Sequence, residues 1–127
     1  MSESSLIAVV DDDEAIREAT ESLIRSVGFR AVVFPSAEDL LRSSHLQDTG
    51  CLIVDVRMPG MSGLELQRQL ATANYSLPII FITAQGDADT RARALRAGAV
   101  AFLDKPFNDE VLLRAVHAAL QSSWRGV

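Results

Sequence analysis

One cysteine, one tryptophan, one tyrosine and two histidines are spread over 127 residues. The lone Cys51, opening an apolar run, can form no internal disulfide and reads as a small core residue. His45 and His117 have no partners at metal-ligand or triad spacing, so zinc sites and histidine-centred nucleophilic catalysis lack support. Long apolar runs are missing too. Leu6–Val10, Cys51–Val54 and Leu77–Thr83 are strand-sized, far below the roughly 20 residues of a membrane span. No signal peptide is visible, so the cytoplasm is the expected compartment and no membrane partner is expected. Lysine is nearly absent: it occurs only at Lys105, and every other basic residue is arginine.

What remains is an ordinary globular composition, 48% hydrophobic and 23% charged. The length suits a single domain over 1–127, with a core at about 5–121 and a tail or linker start at 122–127. A formal charge of −5 argues against direct nucleic-acid binding by this domain, because such binding neutralises phosphates with Lys and Arg.

Along the chain, strand-like and helix-like patterns alternate. Leu6–Val10 ends in Asp11-Asp12-Asp13, and Ile16, Thr20, Leu23, Ile24 and Val27 then recur at helical spacing until Gly28. Arg30–Phe34 is a second strand. Ser36 with Asp39 opens a second helix that fades near Ser43 and Ser44. Cys51–Val54 reads as a strand buried on both faces, ending in Asp55. Ser62 and Glu65 form a capping box for a helix from Gly63 to about Thr72. Pro78–Thr83 is the fourth strand, Asp87 caps a helix that Gly98 ends, Val100–Leu103 is the fifth strand, and Asn108 caps a helix to about Leu120. This is a (βα)5 pattern, which implies a parallel sheet covered on both faces.

In such a sheet ligands bind beyond the carboxyl ends of the strands. Those ends carry Asp11-Asp12, Asp55, Thr83 and Asp104-Lys105. Singly, each has a plain explanation: helix caps, a turn former, a β-branched strand end, a surface charge. Together they bring carboxylates, a hydroxyl and an ammonium to one edge. Gathered carboxylates repel unless a cation sits among them. All-oxygen ligands point to a hard ion, Mg²⁺ or Mn²⁺ in its place.

Val9-Val10-Asp11-Asp12, the stretch Val54–Gly63, Thr83-Ala84 and Lys105-Pro106-Phe107 resemble the receiver domains of bacterial two-component response regulators, over nearly the whole chain. The Arg57–Gly63 turn, Gly86-Asp87 and Gly98-Ala99 look most like the FixJ-like branch. The resemblance implies a flavodoxin-like, doubly wound sheet of order 2-1-3-4-5. It implies that Asp55 takes a phosphoryl group from a sensor histidine kinase, with Mg²⁺ held by Asp11, Asp12, Asp55 and the backbone carbonyl of Arg57. Lys105 and Thr83 would contact the phosphoryl oxygens, and Phe102 would be an inward-turning switch aromatic. The Lys105–Pro106 peptide would be cis, and Arg57 and Gln85 would tune phosphoryl lifetime. The output would be a changed surface on the fourth helix, fifth strand and fifth helix, used for homodimerisation. It would control transcription through a DNA-binding domain not present in this chain. Arg91, Arg93 and Arg96, beside Asp109 and Glu110, suit charged contacts there or a solvated face.

Such a domain is regulatory rather than an enzyme, assisting only its own phosphorylation and dephosphorylation. Two rivals are a haloacid-dehalogenase-like phosphatase and a phosphorylation-independent pseudo-receiver. The first wants a second acid where Arg57 stands, and the second is opposed by the intact acidic pair, Asp55, Thr83 and Lys105.

Overall fold

Runs of apolar residues cut short by acids, glycines and prolines become the strands of one sheet. The computed structural model describes residues 5–84 and 86–125, with 122–125 given by their backbone alone. In chain order the elements are β1 (Leu6–Val10), α1 (Glu14–Ser26), β2 (Arg30–Phe34), α2 (Ala37–Arg42), a 3₁₀ turn (Leu46–Asp48), β3 (Thr49–Asp55), α3 (Gly63–Thr72), β4 (Ile79–Thr83), α4 (Ala88–Arg96), β5 (Ala101–Asp104) and α5 (Asp109–Arg125). The strand order is β2-β1-β3-β4-β5, with every pairing parallel. This is the expected doubly wound order.

Because strand side chains alternate in direction, each central strand feeds two cores. Ala8, Val10, Leu52, Val54 and Phe81 join Leu40 of α2, Leu66 and Leu70 of α3 and Ala94 of α4. Ile7, Val9, Ile53, Ile80 and Ile82 meet Ile24 of α1 and Leu112, Val116 and Ala119 of α5. The chain therefore needs near-continuous apolar strands rather than half-polar ones.

Several boundaries move. β3 starts at Thr49, two residues before Cys51, and pairs Leu6 with Thr49 across a register shift. Pro78 precedes β4 rather than opening it, and its carbonyl accepts from Leu52 N at 2.9 Å. β5 is displaced by one residue to Ala101–Asp104. α5 continues to Arg125, beyond the expected end near Leu120. Nothing between Leu120 and Arg125 breaks a helix, since neither Pro nor Gly occurs before Gly126. The helix starts follow their caps. Asp13, Ser36, Ser62 and Asp87 each accept from first-turn amides, and Ser62 with Glu65 completes the capping box.

Cys51 is fully buried in β3, and burial pushes its thiol up to about 12. The unfolded chain ionises near the ordinary thiol value of about 8.5, so stability is expected to fall as pH rises from there toward 12. At neutral pH a thiol reagent should modify Cys51 at a rate that follows the unfolded fraction across a urea series. Rapid modification of the native protein would contradict this burial.

Candidate functional site

β1 and β3 are neighbours, with Val10 paired to Val54, so the residues that follow or end them emerge side by side. Asp11, Asp12 and Asp55 each place a carboxylate oxygen within 4.8 Å of the others. The acidic triplet after β1 divides its labour. Asp13 caps α1, accepting from Ala15 N at 2.9 Å and Ile16 N at 3.2 Å. Asp12 is exposed, and Asp11 is fully buried. Asp55 is 6% exposed.

Each buried carboxylate has one oxygen held by backbone. Asp11 Oδ1 accepts from Asp13 N at 2.9 Å, and Asp55 Oδ1 accepts from Arg57 N at 3.1 Å. The second oxygens face Lys105. Its Nζ donates to Asp55 Oδ2 at 2.9 Å and lies 3.1 Å from Asp11 Oδ2. The second contact is an ion pair without hydrogen-bond alignment, which leaves Asp11 Oδ2 buried with no hydrogen bond.

Electrostatics follow from this packing. Burial pushes Asp11 above the ordinary carboxylate range, although the Asp13 amide and Lys105 pull it down. For Lys105, burial acts to lower the pKa. The hydrogen bond to Asp55 and the negative charges of Asp55 and Asp11 outweigh it and hold the ammonium above its ordinary value. A buried, raised carboxylate with an unsatisfied oxygen, next to two other acids, is the environment a divalent cation would relieve. The donors are all oxygen, which fits a hard ion.

Lys105 reaches this point from β5, two strands from β3, and its backbone N–H is fixed on Thr83 O at 2.8 Å. The Lys105–Pro106 peptide is cis. Thr83 ends β4, is 1% exposed and pairs with Asp104. Asp55 pairs with Ile82, so Thr83 lies one residue further toward the loop edge. Phe102 is buried at 4% exposure and packs against Phe81 with ring centroids 6.2 Å apart. A Cβ on Gly86 would lie 2.7 Å from the Phe102 ring and 2.9 Å from Thr83 Cγ2, so the ring and the Thr83 methyl both close on the Gly86 backbone. Arg57 turns its guanidinium outward, with Nη2 4.0 Å from Asp87 Oδ2. Gln85 lies outside the described residues.

Three residues bearing on the site escaped the sequence reading. Arg17 of α1 donates from Nη1 to Asp11 O at 2.8 Å. Arg91, read only as a charge on the helix face, donates from Nη1 to Phe102 O at 3.2 Å and sits 5.7 Å from that ring's centroid. Glu38 of α2 accepts from Met61 N at 3.0 Å. Arg17 follows the acidic triplet on the same helix, which was a local signal; Glu38 and Arg91 act across the fold and left none.

Residues 7–117 match the family model of the response regulator receiver domain. Nodulation protein W of Bradyrhizobium diazoefficiens is 48% identical over 120 residues, covering 94% of this chain and 53% of that protein. Transcriptional regulatory protein FixJ of Azorhizobium caulinodans is 40% identical over 123 residues, covering 97% and 58%. The crystal structure of FixJ-N matches with a TM-score of 0.84 at 36% identity, covering 94% of this chain and 96% of that one. The chain spans about half the length of the curated relatives it matches.

Replacing Lys105 by Met keeps the bulk but leaves two buried carboxylates without their counter-charge. Urea melts in chelator at pH 7 should show a loss of about 3–5 kcal/mol. A divalent cation should recover most of that loss. Unchanged stability in chelator would show that the ammonium does not compensate the acids.

Proposed function

The chain belongs to the response regulator receiver domain family, and from that premise we propose that Asp55 is its phosphoacceptor. The observation that carries this reading is the convergence of Asp11, Asp12 and Asp55 around one buried, ammonium-bridged point at the carboxyl edge of the sheet. Asp11, Asp12, Asp55 and the carbonyl of Arg57 would hold Mg²⁺. When bound, the ion supplies neutralisation of the charge on the transferring oxygens.

The remaining steps fall to the chain itself. Asp55 attacks the phosphorus of a phosphohistidine on a sensor histidine kinase; a P–O bond forms, the P–N bond breaks, and the imidazole leaves with the electron pair. Lys105, already 2.9 Å from Asp55 Oδ2, follows the charge onto a phosphoryl oxygen. Thr83 donates its hydroxyl to another. Phosphoryl oxygens draw Thr83 and its loop inward, and the buried Phe102 beside it registers that movement. Arg57, at the mouth of the site, and Gln85 tune how long the phosphoryl group survives.

The role is regulatory, and the domain assists only its own phosphorylation and dephosphorylation. Output passes to α4, β5 and α5, where Leu95 and Val111 are exposed large apolar side chains suited to a homodimer. The resemblance to the transcriptional regulatory protein FixJ and the response regulator protein TodT supports reading this domain as the receiver of a transcriptional regulator acting in the cytoplasm. A DNA-binding domain would then carry the output. No helix among the described residues is long and apolar enough to cross a membrane. The family match favours this reading over the phosphatase and the pseudo-receiver.

Incubation with a small phosphodonor and Mg²⁺ should add one phosphoryl group by intact mass, and none to Asp55→Asn. An equal gain in Asp55→Asn would sink the assignment, and steady hydrolysis of unrelated phosphate esters would restore the phosphatase reading.

A further inference from the structure

The loop between β3 and α3 begins at Asp55 and carries Arg57, so its conformation decides where the Arg57 backbone lies. Within its own segment it is fastened at three points, one of them the Gly63 N–H donating to Val56 O at 2.9 Å. Arg57 N donates to Asp55 Oδ1, and the Ser62–Glu65 capping box fixes its far end. Outside the segment, Val56 N donates to Ile82 O of β4 at 3.0 Å, and a further fastening comes from another helix. Glu38 Oε2 accepts from Met61 N at 3.0 Å, across 23 positions of sequence.

The backbone is shaped to receive that carboxylate. Gly60 has φ +79°, and a Cβ there would lie 2.7 Å from Glu38 Oε2. The oxygen therefore packs on a face that only glycine leaves open. Glu38 is itself held on a fixed support, since Ser36 caps α2 through Asp39 N, and Ala37 and Leu40 on either side are fully buried. A carboxylate on an anchored helix that accepts a backbone N–H makes a charge-assisted hydrogen bond and ties the Met61 end of the loop to a separate part of the core.

Resting on the receiver reading above, we propose that Glu38 is a positioning residue for cation binding. By holding Met61 it fixes the loop that presents Arg57 beside Asp55, and so sets the affinity of the site for Mg²⁺. It touches neither the cation nor the phosphoryl group.

Glu38→Gln retains an acceptor oxygen for Met61 N, and Glu38→Ala removes it. Hydrogen exchange at the Met61 amide should quicken in Glu38→Ala and stay near the parental rate in Glu38→Gln. Mg²⁺ titration by calorimetry should show about a tenfold loss of affinity in Glu38→Ala, the lower end of what such outer partners contribute, with Glu38→Gln close to the parent. Parental Mg²⁺ affinity in Glu38→Ala, or unchanged Met61 exchange, overturns the proposal. An equal loss in Glu38→Gln also overturns it, by assigning the effect to charge rather than to the bond. If the parent itself binds no Mg²⁺, the receiver-site reading falls with it. A parent that binds normally while Glu38→Ala is unaffected removes only this inference.

Discussion

Carboxylates at the ends of adjacent parallel strands must share a positive charge, and in this molecule Lys105 supplies it. Charges within 4.8 Å repel by about 3–4 kcal/mol at an effective dielectric of about 20. The sheet order creates the problem, because β1 and β3 are neighbours and end in acids at the same level. It also provides the remedy. β5 lies two strands from β3, a distance that a lysine side chain covers, and the Lys105–Thr83 backbone hydrogen bond aims it. The remedy is incomplete, since Asp11 Oδ2 keeps no hydrogen bond. The site is thus stable enough to fold and still unsatisfied enough to favour further positive charge.

That balance explains how the two faces of the sheet differ in use. α1 contributes Asp13 as a cap and Arg17 as a donor to Asp11 O, so the acidic turn after β1 is rigid. α2 contributes Glu38 to the turn after β3. The acids are held by neighbouring elements as well as by their own strands, which is how a site of loop residues keeps its geometry.

Element types were legible because the periodicities are strong and the capping residues stand in place, whereas the strand order came only from the family resemblance. Asp11, Asp12, Asp55, Thr83 and Lys105 could be picked out because the rule for parallel sheets directs attention to strand ends. What sequence could not reveal is which of three adjacent aspartates caps and which is buried, since all three satisfy the same local pattern; only the tertiary placement of β1 against β3 separates Asp13 from Asp11. Arg91 shows the same limit. On a helical wheel it resembles Arg93 and Arg96, yet it binds Phe102 O because β5 lies beside it. The end of α5 was misplaced for a different reason: serines after Leu120 resemble a linker but do not break a helix.

α4 is where these threads meet. Its cap Asp87 lies 4.0 Å from Arg57 of the loop that follows Asp55, its Arg91 holds β5, and Gln67 of α3 donates to Ala94 O at 3.2 Å. The Arg57–Asp87 contact is exposed on both sides, and such pairs contribute about 0–1 kcal/mol. Ala94 is the only residue of the helix that is fully buried. α4 is therefore tied to the site by contacts that are individually weak but lead directly to it. On the proposed reading, a phosphoryl group on Asp55 would make charge-assisted hydrogen bonds of about 1.5–3 kcal/mol each, enough to outweigh any one of these ties. A helix fixed by a few polar contacts, rather than by a deep apolar face, is the part of this fold that the proposed charge at Asp55 would move with least disturbance of the two cores beneath it.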